Sequence, residues 1–195
     1  MISCINFIIL IISTLLMAIF YIKSVGPAQL EQKIGDKAYI RCGNYRIIAS
    51  IFEIIAIANY IVYFFFPLPI PFFRFFLWNY WISFTTSIII LIPSLYITLK
   101  GVKDAEREAL FPDKSHTLYK GIYEKIRHPQ ALGELFIWLS AALILNSPFL
   151  FSYSMVWIPL FYWFCKVEEK DLEIRFGKPY IEYKSRTGMF FPRKK

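Results

Sequence analysis

Apolar and polar positions along this chain fall into long blocks. An uncharged run from Ile2 to Ile22 is followed by a polar stretch, Lys23 to Arg46, with five basic residues and a Gly26-Pro27 break. A second apolar run, Ile47 to Phe66, ends at Pro67-Leu68-Pro69-Ile70-Pro71, and a third, Phe72 to Leu99, contains Pro93. Next comes a polar stretch, Lys100 to Arg127, with seven basic residues, and then two apolar runs, Ala131 to Leu145 and Phe149 to Cys165, divided by Asn146-Ser147-Pro148. A helical bilayer crossing needs about 20 apolar residues, so the pattern predicts an all-α integral membrane protein with about five transmembrane helices. The proline cluster and Asn-Ser-Pro read as turns, Pro93 as a kink, and the residues beyond Lys166 as an amphipathic C-terminal tail. With no basic segment before the first run and no small-residue cleavage site after it, that run reads as a retained anchor.

The last two runs predict a helical hairpin. Counted from Pro148, Gln130 lies 18 residues back and Lys166 lies 18 residues forward. Antiparallel helices that rise about 1.5 Å per residue then bring the start of one to the end of the other. Arg127-His128 on one side and Glu168-Glu169 on the other would share one level at the membrane surface, with Glu134 a turn deeper as a partner for Arg127 or a ligand. Glu53, inside the second run, is an acid where acids are costly, with Asn59 and nearby tyrosines as its candidate partners.

Composition sharpens this picture. Of 195 residues, 57% are hydrophobic, above the roughly 45–50% of soluble domains, and no linker divides them. Residues 1–195 therefore read as a single membrane domain: 1–99 supplies three N-terminal transmembrane helices, and 100–195 carries the candidate chemistry. The net charge of +8 does not call for nucleic acid, because 21 of the 22 Lys and Arg fall in the two connectors and the tail, with Arg74 alone on the other side. By the positive-inside rule both connectors and the tail are cytosolic. Cys4, Cys42 and Cys165 have no metal-ligand or disulfide spacing, and no metal site is expected. There is no Gly-x-Gly-x-x-Gly loop, so a Rossmann-type nucleotide site is not indicated.

Three motifs stand in order: Gly121-Ile122-Tyr123-x-x-Ile126-Arg127-His128-Pro129, then Glu168-Glu169, then Phe176-Gly177-Lys178-x-Tyr180-x-x-Tyr183 with a closing Phe191-Pro192. From Ser115 to Pro192 the chain resembles the isoprenylcysteine carboxyl methyltransferases and their phospholipid methyltransferase relatives. The resemblance implies an S-adenosylmethionine-dependent membrane methyltransferase with its site open to the cytosol and a lipidic or prenylated acceptor arriving from the bilayer. It implies cofactor contacts at His116, Leu118, Tyr119, Gly121, Tyr123, Arg127, His128, Pro129, Gln130, Glu168 and Glu169, with Glu168 and Arg127 serving catalysis. Ala131 stands where the family usually has Tyr, and Phe164 where isoprenylcysteine enzymes have an acceptor-handling Arg; Lys166 is a candidate substitute.

The residue chemistry is compatible with that reading. A ligand with both an ammonium and a carboxylate finds opposite charges in an Arg/His group that faces a Glu pair. Carboxyl O-methylation of a prenylcysteine-like or other lipid is the leading expectation. An NADPH-dependent oxidoreductase like the sterol reductases, whose C-terminal halves look similar, and a non-catalytic membrane protein on the same scaffold remain alternatives. Taken singly, the Arg-His pair also reads as interfacial cations, the Glu pair as a solvated helix end, and His116 as a loop histidine.

The charge distribution makes the topology testable. A membrane-impermeant thiol reagent added from outside should label Pro69→Cys and leave Asp113→Cys untouched; the reverse pattern would invert the orientation.

Overall fold

The computed structural model of the chain describes residues 1–114 and 120–193. Among these it is all-helical, with no strand. The helices are α1 (Ile2–Ser24), α2 (Pro27–Ile34), α3 (Lys37–Phe65), α4 (Tyr80–Ala105), α5 (Pro129–Ile144), α6 (Pro148–Ser154), α7 (Trp157–Phe176) and α8 (Lys178–Arg186). Short 3-10 turns follow α4 at Glu106–Ala109 and precede α5 at Gly121–Glu124.

Helix is the only local way for such apolar runs to satisfy their backbone inside lipid. Small residues then decide which helices meet. In α3, Cys42, Ala49 and Ala56 recur every seventh residue and are buried. They face α1, which turns Asn6, Leu10, Ser13, Thr14 and Met17 inward and leaves Ile8, Ile12, Leu15 and Ile19 outside. Asn6 Nδ2 donates to the Asn59 carbonyl at 3.1 Å across this contact. In α4, Ser87, Ser94 and Gly101 repeat the same spacing and are buried against α5, where the Ser87 hydroxyl donates to the Ser140 carbonyl at 2.8 Å. The molecule is thus two close helix pairs, α1 with α3 and α4 with α5, tied together by α7, which touches α1, α2 and α5. Close approach at small side chains is the usual basis of helix association in membranes.

Four helical stretches are long and apolar enough to cross a membrane: Ile2–Ser24, Lys37–Phe65, Tyr80–Ala109 and Pro148–Phe176. The expected fourth of five crossings is a shorter apolar helix, Pro129–Ile144. Its 16 residues span about 24 Å, against roughly 30 Å of hydrocarbon. Pro129 bounds it at one end and the left-handed Asn146 (φ 49°) at the other. The turn at Asn146-Ser147-Pro148 lies where the sequence puts it, with Ser147 Oγ accepting from Leu150 N.

Other boundaries move. α3 begins at Lys37 rather than Ile47, because its first turns run on beyond the apolar block with Cys42 and Gly43 buried and Arg41 and Asn44 exposed. The first polar connector is itself partly helical, Pro27 opening α2. The third long helix starts at Tyr80, not Phe72. Asn79 caps it by accepting from Trp81 N at 2.9 Å, and Phe76 stacks on Trp78 at 4.3 Å in the non-helical stretch before it. α4 continues unbroken through Pro93.

The tightest point of the α4–α5 contact is Gly133. A Cβ there would collide with Thr98 Oγ1 and come within 2.6 Å of the Ser94 carbonyl. Gly133→Leu should therefore lower thermal stability by an amount at the upper end of the roughly 1–3 kcal/mol typical of overpacking, measured by unfolding in detergent. Unchanged stability would mean that α4 and α5 do not pack through this face.

Candidate functional site

The ends of α5 and α7 meet, as the hairpin count requires, and they are joined by charge. His128 is the N-cap residue of α5 with Pro129 in its first turn, and Glu168 and Glu169 lie in the last turns of α7. His128 Nδ1 stands 3.3 Å from Glu168 Oε2, and its Nε2 stands 3.3 Å from Glu169 Oε1. Arg127 Nε and Nη2 both reach Glu169 Oε1 at 2.7 Å, and Lys184 of α8 reaches Glu169 Oε2 at 2.9 Å. Arg127 Nη1 also donates to the carbonyls of Lys184 and Thr187. The segment after α8 lies alongside: Arg127 N donates to the Gly188 carbonyl at 2.9 Å and His128 N to the Met189 carbonyl at 3.1 Å.

Adjacent acids on a helix point about 100° apart, and this splits the pair. Glu169 is turned inward, 1% exposed and surrounded by three cationic side chains. Glu168 is 26% exposed and has His128 as its ion-pair partner. Burial alone lowers the proton affinity of His128, but the Cys165 thiol, Glu168 and Glu169 reverse that and hold its pKa well above the ordinary histidine value. Those partners favour the charged form of the imidazole, which is shared between two carboxylates.

Beside this network lies a narrow cleft whose enclosed space is about 50 Å³ and which reaches about 570 Å³ only when counted out into open solvent at its mouth. Its wall includes Tyr21 of α1, Arg46 of α3, Glu168 of α7, and the run from Arg127 to Ala131. Tyr123 joins it from the 3-10 turn before α5; burial pushes its phenol well above the usual value, and its oxygen accepts from Gln130 Nε2 at 2.9 Å and donates to the Gly101 carbonyl at 3.2 Å. Glu108, also in the wall, is committed to Arg175 at 2.5 Å and to Asp113 N at 2.8 Å. Among the described residues, Glu168 is thus the cleft carboxylate with capacity to spare.

The sequence-derived site residues divide into groups. Tyr123, Arg127, His128, Pro129, Gln130 and Glu168 line one cleft. Glu169 stands behind it. Gly121 lies outside the wall, in a left-handed turn (φ 68°) pressed against Asp104, which accepts from Ile122 N at 2.8 Å. His116, Leu118 and Tyr119 fall outside the described residues. Phe164 is buried in the cleft wall, its ring 4.7 Å from that of Tyr21, and Lys166 is exposed and lies over the Tyr162 ring, so neither puts a cation where the family resemblance expects one. Glu134 does not meet Arg127, whose guanidinium is spent elsewhere, and Asn59 donates to the Ile55 carbonyl rather than to Glu53. Asp171 is a structural residue despite its place next to the motif: it is 1% exposed and accepts from Ala28 N and Gln29 N at the start of α2.

Sequence reasoning missed Arg46, counted there as one of five connector cations. In the fold it stands across the cleft from Glu168. Its Nη1 donates to the carbonyls of Glu108 and Ala109 at 2.8 and 3.0 Å, while its buried Nε has no hydrogen-bond acceptor. A lone Arg near the cytosolic end of a predicted crossing gives no local signal of this; only the packing of α3 against the loop after α4 does.

Residues 82–179 match the family model of the phospholipid methyltransferases. No curated protein and no solved structure matches the chain.

Two stability measurements follow from the network. Glu169→Gln strands the buried Arg127 guanidinium, while Lys184 keeps Glu173 at 2.7 Å, and should cost on the order of 3–5 kcal/mol, the usual effect of breaking a buried pair; a loss below about 1 kcal/mol, the scale of exposed pairs, would show that the cluster is solvated. Because His128 has a raised pKa in the folded state, its contribution is complete below its unfolded value of about 6.5 and is lost as pH rises through the folded value. The stability gap between wild type and His128→Gln should accordingly narrow as pH is raised above about 6.5, and a gap that widens would contradict the assignment.

Proposed function

The chain belongs to the phospholipid methyltransferase family, and from that premise we propose that it is an S-adenosylmethionine-dependent membrane methyltransferase whose cofactor sits in the cleft between Arg46 and Glu168. The observation that carries this reading is the pair of opposite, under-used charges across one cleft. Glu168 has a single ion-pair partner and remains partly open, and Arg46 has a buried N–H without an acceptor. A ligand with an ammonium and a carboxylate would offer each of these charges an opposite partner. Bound there, S-adenosylmethionine supplies an electrophilic methyl on a sulfonium.

The chain's own groups would then bind, orient and exclude water. Glu168 would hold the ammonium or ribose hydroxyls, and Arg46 and His128 the carboxylate. Tyr123 and Gln130, tied to each other and to the Gly101 carbonyl, would fix one wall. Arg127 and Glu169 would act by positioning, since their charges are consumed in joining α5, α7 and the segment after α8. In-line methyl transfer requires no protein nucleophile; it gains chiefly from positioning and a dry site. The acceptor would be a lipid that reaches the cleft through the bilayer, on the cytosolic side if the basic ends face inward. A prenylcysteine carboxylate is less well served than the sequence suggests, because Phe164 packs on Tyr21 and Lys166 faces away.

The test is calorimetric titration of adenosylhomocysteine into the detergent-solubilised protein and into Glu168→Gln, Arg46→Gln and the surface control Glu182→Gln. Wild type and the control should bind alike, and each cleft variant should weaken binding roughly tenfold to a hundredfold, the factor carried by a charge-assisted hydrogen bond of about 1.5–3 kcal/mol. No binding by folded wild type, or binding of NADPH in its place, would overturn the reading.

A further inference from the structure

A separate groove runs between α5 and α7 on their outward side. Ala131 to Phe136 of α5 form one wall and Ile158 to Tyr162 of α7 the other, and Phe190 and Phe191 of the C-terminal segment join them. The Phe190 ring lies 6.4 Å from that of His128, so the aromatic pair stands at the end of the groove nearest the start of α5. The space is about 390 Å³, within the roughly 300–1,000 Å³ that holds small molecules. Apart from the Tyr162 hydroxyl, every side chain in the wall is apolar. Ile158 is 46% and Phe191 72% exposed, so the groove opens on the surface that meets lipid.

One end of this groove is cationic. Lys166 follows Tyr162 by one helical turn, and its Nζ lies over the Tyr162 ring, 5.4 Å from the centroid. The ammonium is thereby held at the rim of the groove, and Lys166 has no part in the cleft wall. Lys170, a further turn along α7, is exposed on the same face. Neither lysine has a carboxylate partner among the described residues. The acids of α7 are engaged elsewhere: Glu168 with His128, Glu169 with Arg127, Asp171 with the start of α2 and Glu173 with Lys184. From Lys166 down to Ile158 the wall extends about 12 Å along the helix.

An aromatic face attracts an ammonium without neutralising it, so two like charges remain at the head of an apolar trough. A zwitterionic head group would bring its own cation against them. A soluble anion would leave the apolar walls unfilled, and an uncharged chain would leave the lysines unanswered. A lipid with an anionic head group answers both ends, and basic pockets between membrane helices are a usual setting for one. We propose that the α5–α7 groove is a binding site for an anionic phospholipid, its phosphate held by Lys166 and Lys170 and an acyl chain lying between Phe136 and Ile158. Positions two apart on a helix point about 200° apart, so Lys166 and Lys170 both face away from Glu168. This lipid is therefore held rather than methylated, and its binding does not rest on the methyltransferase reading. Bound there, it touches α5, α7 and the C-terminal segment, the three pieces that the Glu169 junction joins.

The probe is phosphatidylglycerol carrying a photoactivatable diazirine in one acyl chain, applied to the full chain in dodecyl maltoside, with labelled peptides identified by mass spectrometry. Label should map to Ala131 to Phe136 and Ile158 to Tyr162. Unlabelled phosphatidylglycerol should displace it at a concentration roughly tenfold below that of phosphatidylcholine with the same chains, the preference that two surface cations supply. Glycerol 3-phosphate, the head group without a chain, should not displace it. Lys166→Gln/Lys170→Gln should abolish the preference, while Lys33→Gln/Lys37→Gln, an equal loss of exposed charge on the first connector, should keep it. Ile158→Trp, which fills the groove mouth and leaves both lysines in place, should reduce labelling. All three variants alter exposed side chains, and thermal unfolding checks that each is folded. Equal displacement by the two lipids, displacement by glycerol 3-phosphate, or the same loss of preference in both lysine variants would overturn the proposal. Its outcome is independent of whether adenosylhomocysteine binds.

Discussion

The arrangement depends on one buried ionic junction, in which Arg127, His128 and Lys184 converge on the inward-facing Glu169. α5 is too short to be held by length alone and meets α7 both where their charged ends come together and where Trp138 stacks on Trp157 at 4.6 Å. In low dielectric, charges so placed are costly unless every partner is present, so the junction fixes a single register. α5 must begin, and α7 must end, where His128 can stand between two glutamates. The backbone bonds from Arg127 and His128 to Gly188 and Met189 lock the C-terminal segment against the same point. A cleft between the α1–α3 and α4–α5 pairs is a consequence of that register, because it is the junction that holds Glu168 at its edge.

The two adjacent glutamates illustrate how one short motif serves two purposes. A helix separates neighbouring side chains by about 100°, so an acid pair can present one carboxylate to a structural cluster and the other to a cavity. Glu169 is saturated by the protein, and Glu168 is left with capacity. The same division holds on the basic side, where Arg127 is consumed by Glu169 and two carbonyls while Arg46, from a distant helix and in the cleft wall, keeps a buried Nε without an acceptor. The proposed ligand, with its ammonium and its carboxylate, would answer both halves of this charge pattern.

Much of this was legible in the chain. The apolar blocks give the helices, Asn146-Ser147-Pro148 gives the turn, and an eighteen-residue count on either side of Pro148 brings His128 to Glu168. What was not legible depended on packing between distant segments. Glu134 reads as a partner for Arg127 because both lie near one helix start, but helical phase turns it toward Glu53. Nothing local in the sequence marks Asp171 as the acid on which α2 begins. The start of α4 was displaced because Phe72 to Asn79 is as apolar as a helix, and only the Asn79 cap marks the boundary. Arg46 was hidden among cations that charge counting alone treats as equivalent.

The most direct measurement is transfer itself: the purified protein is placed in liposomes made from a total membrane lipid extract, supplied with S-adenosylmethionine labelled at its methyl group, and the organic phase is counted. Label should accumulate in extractable lipid with wild type and fall to background with Glu168→Gln. Lipid labelling undiminished in that variant, or none by a wild type that binds adenosylhomocysteine, would contradict the account.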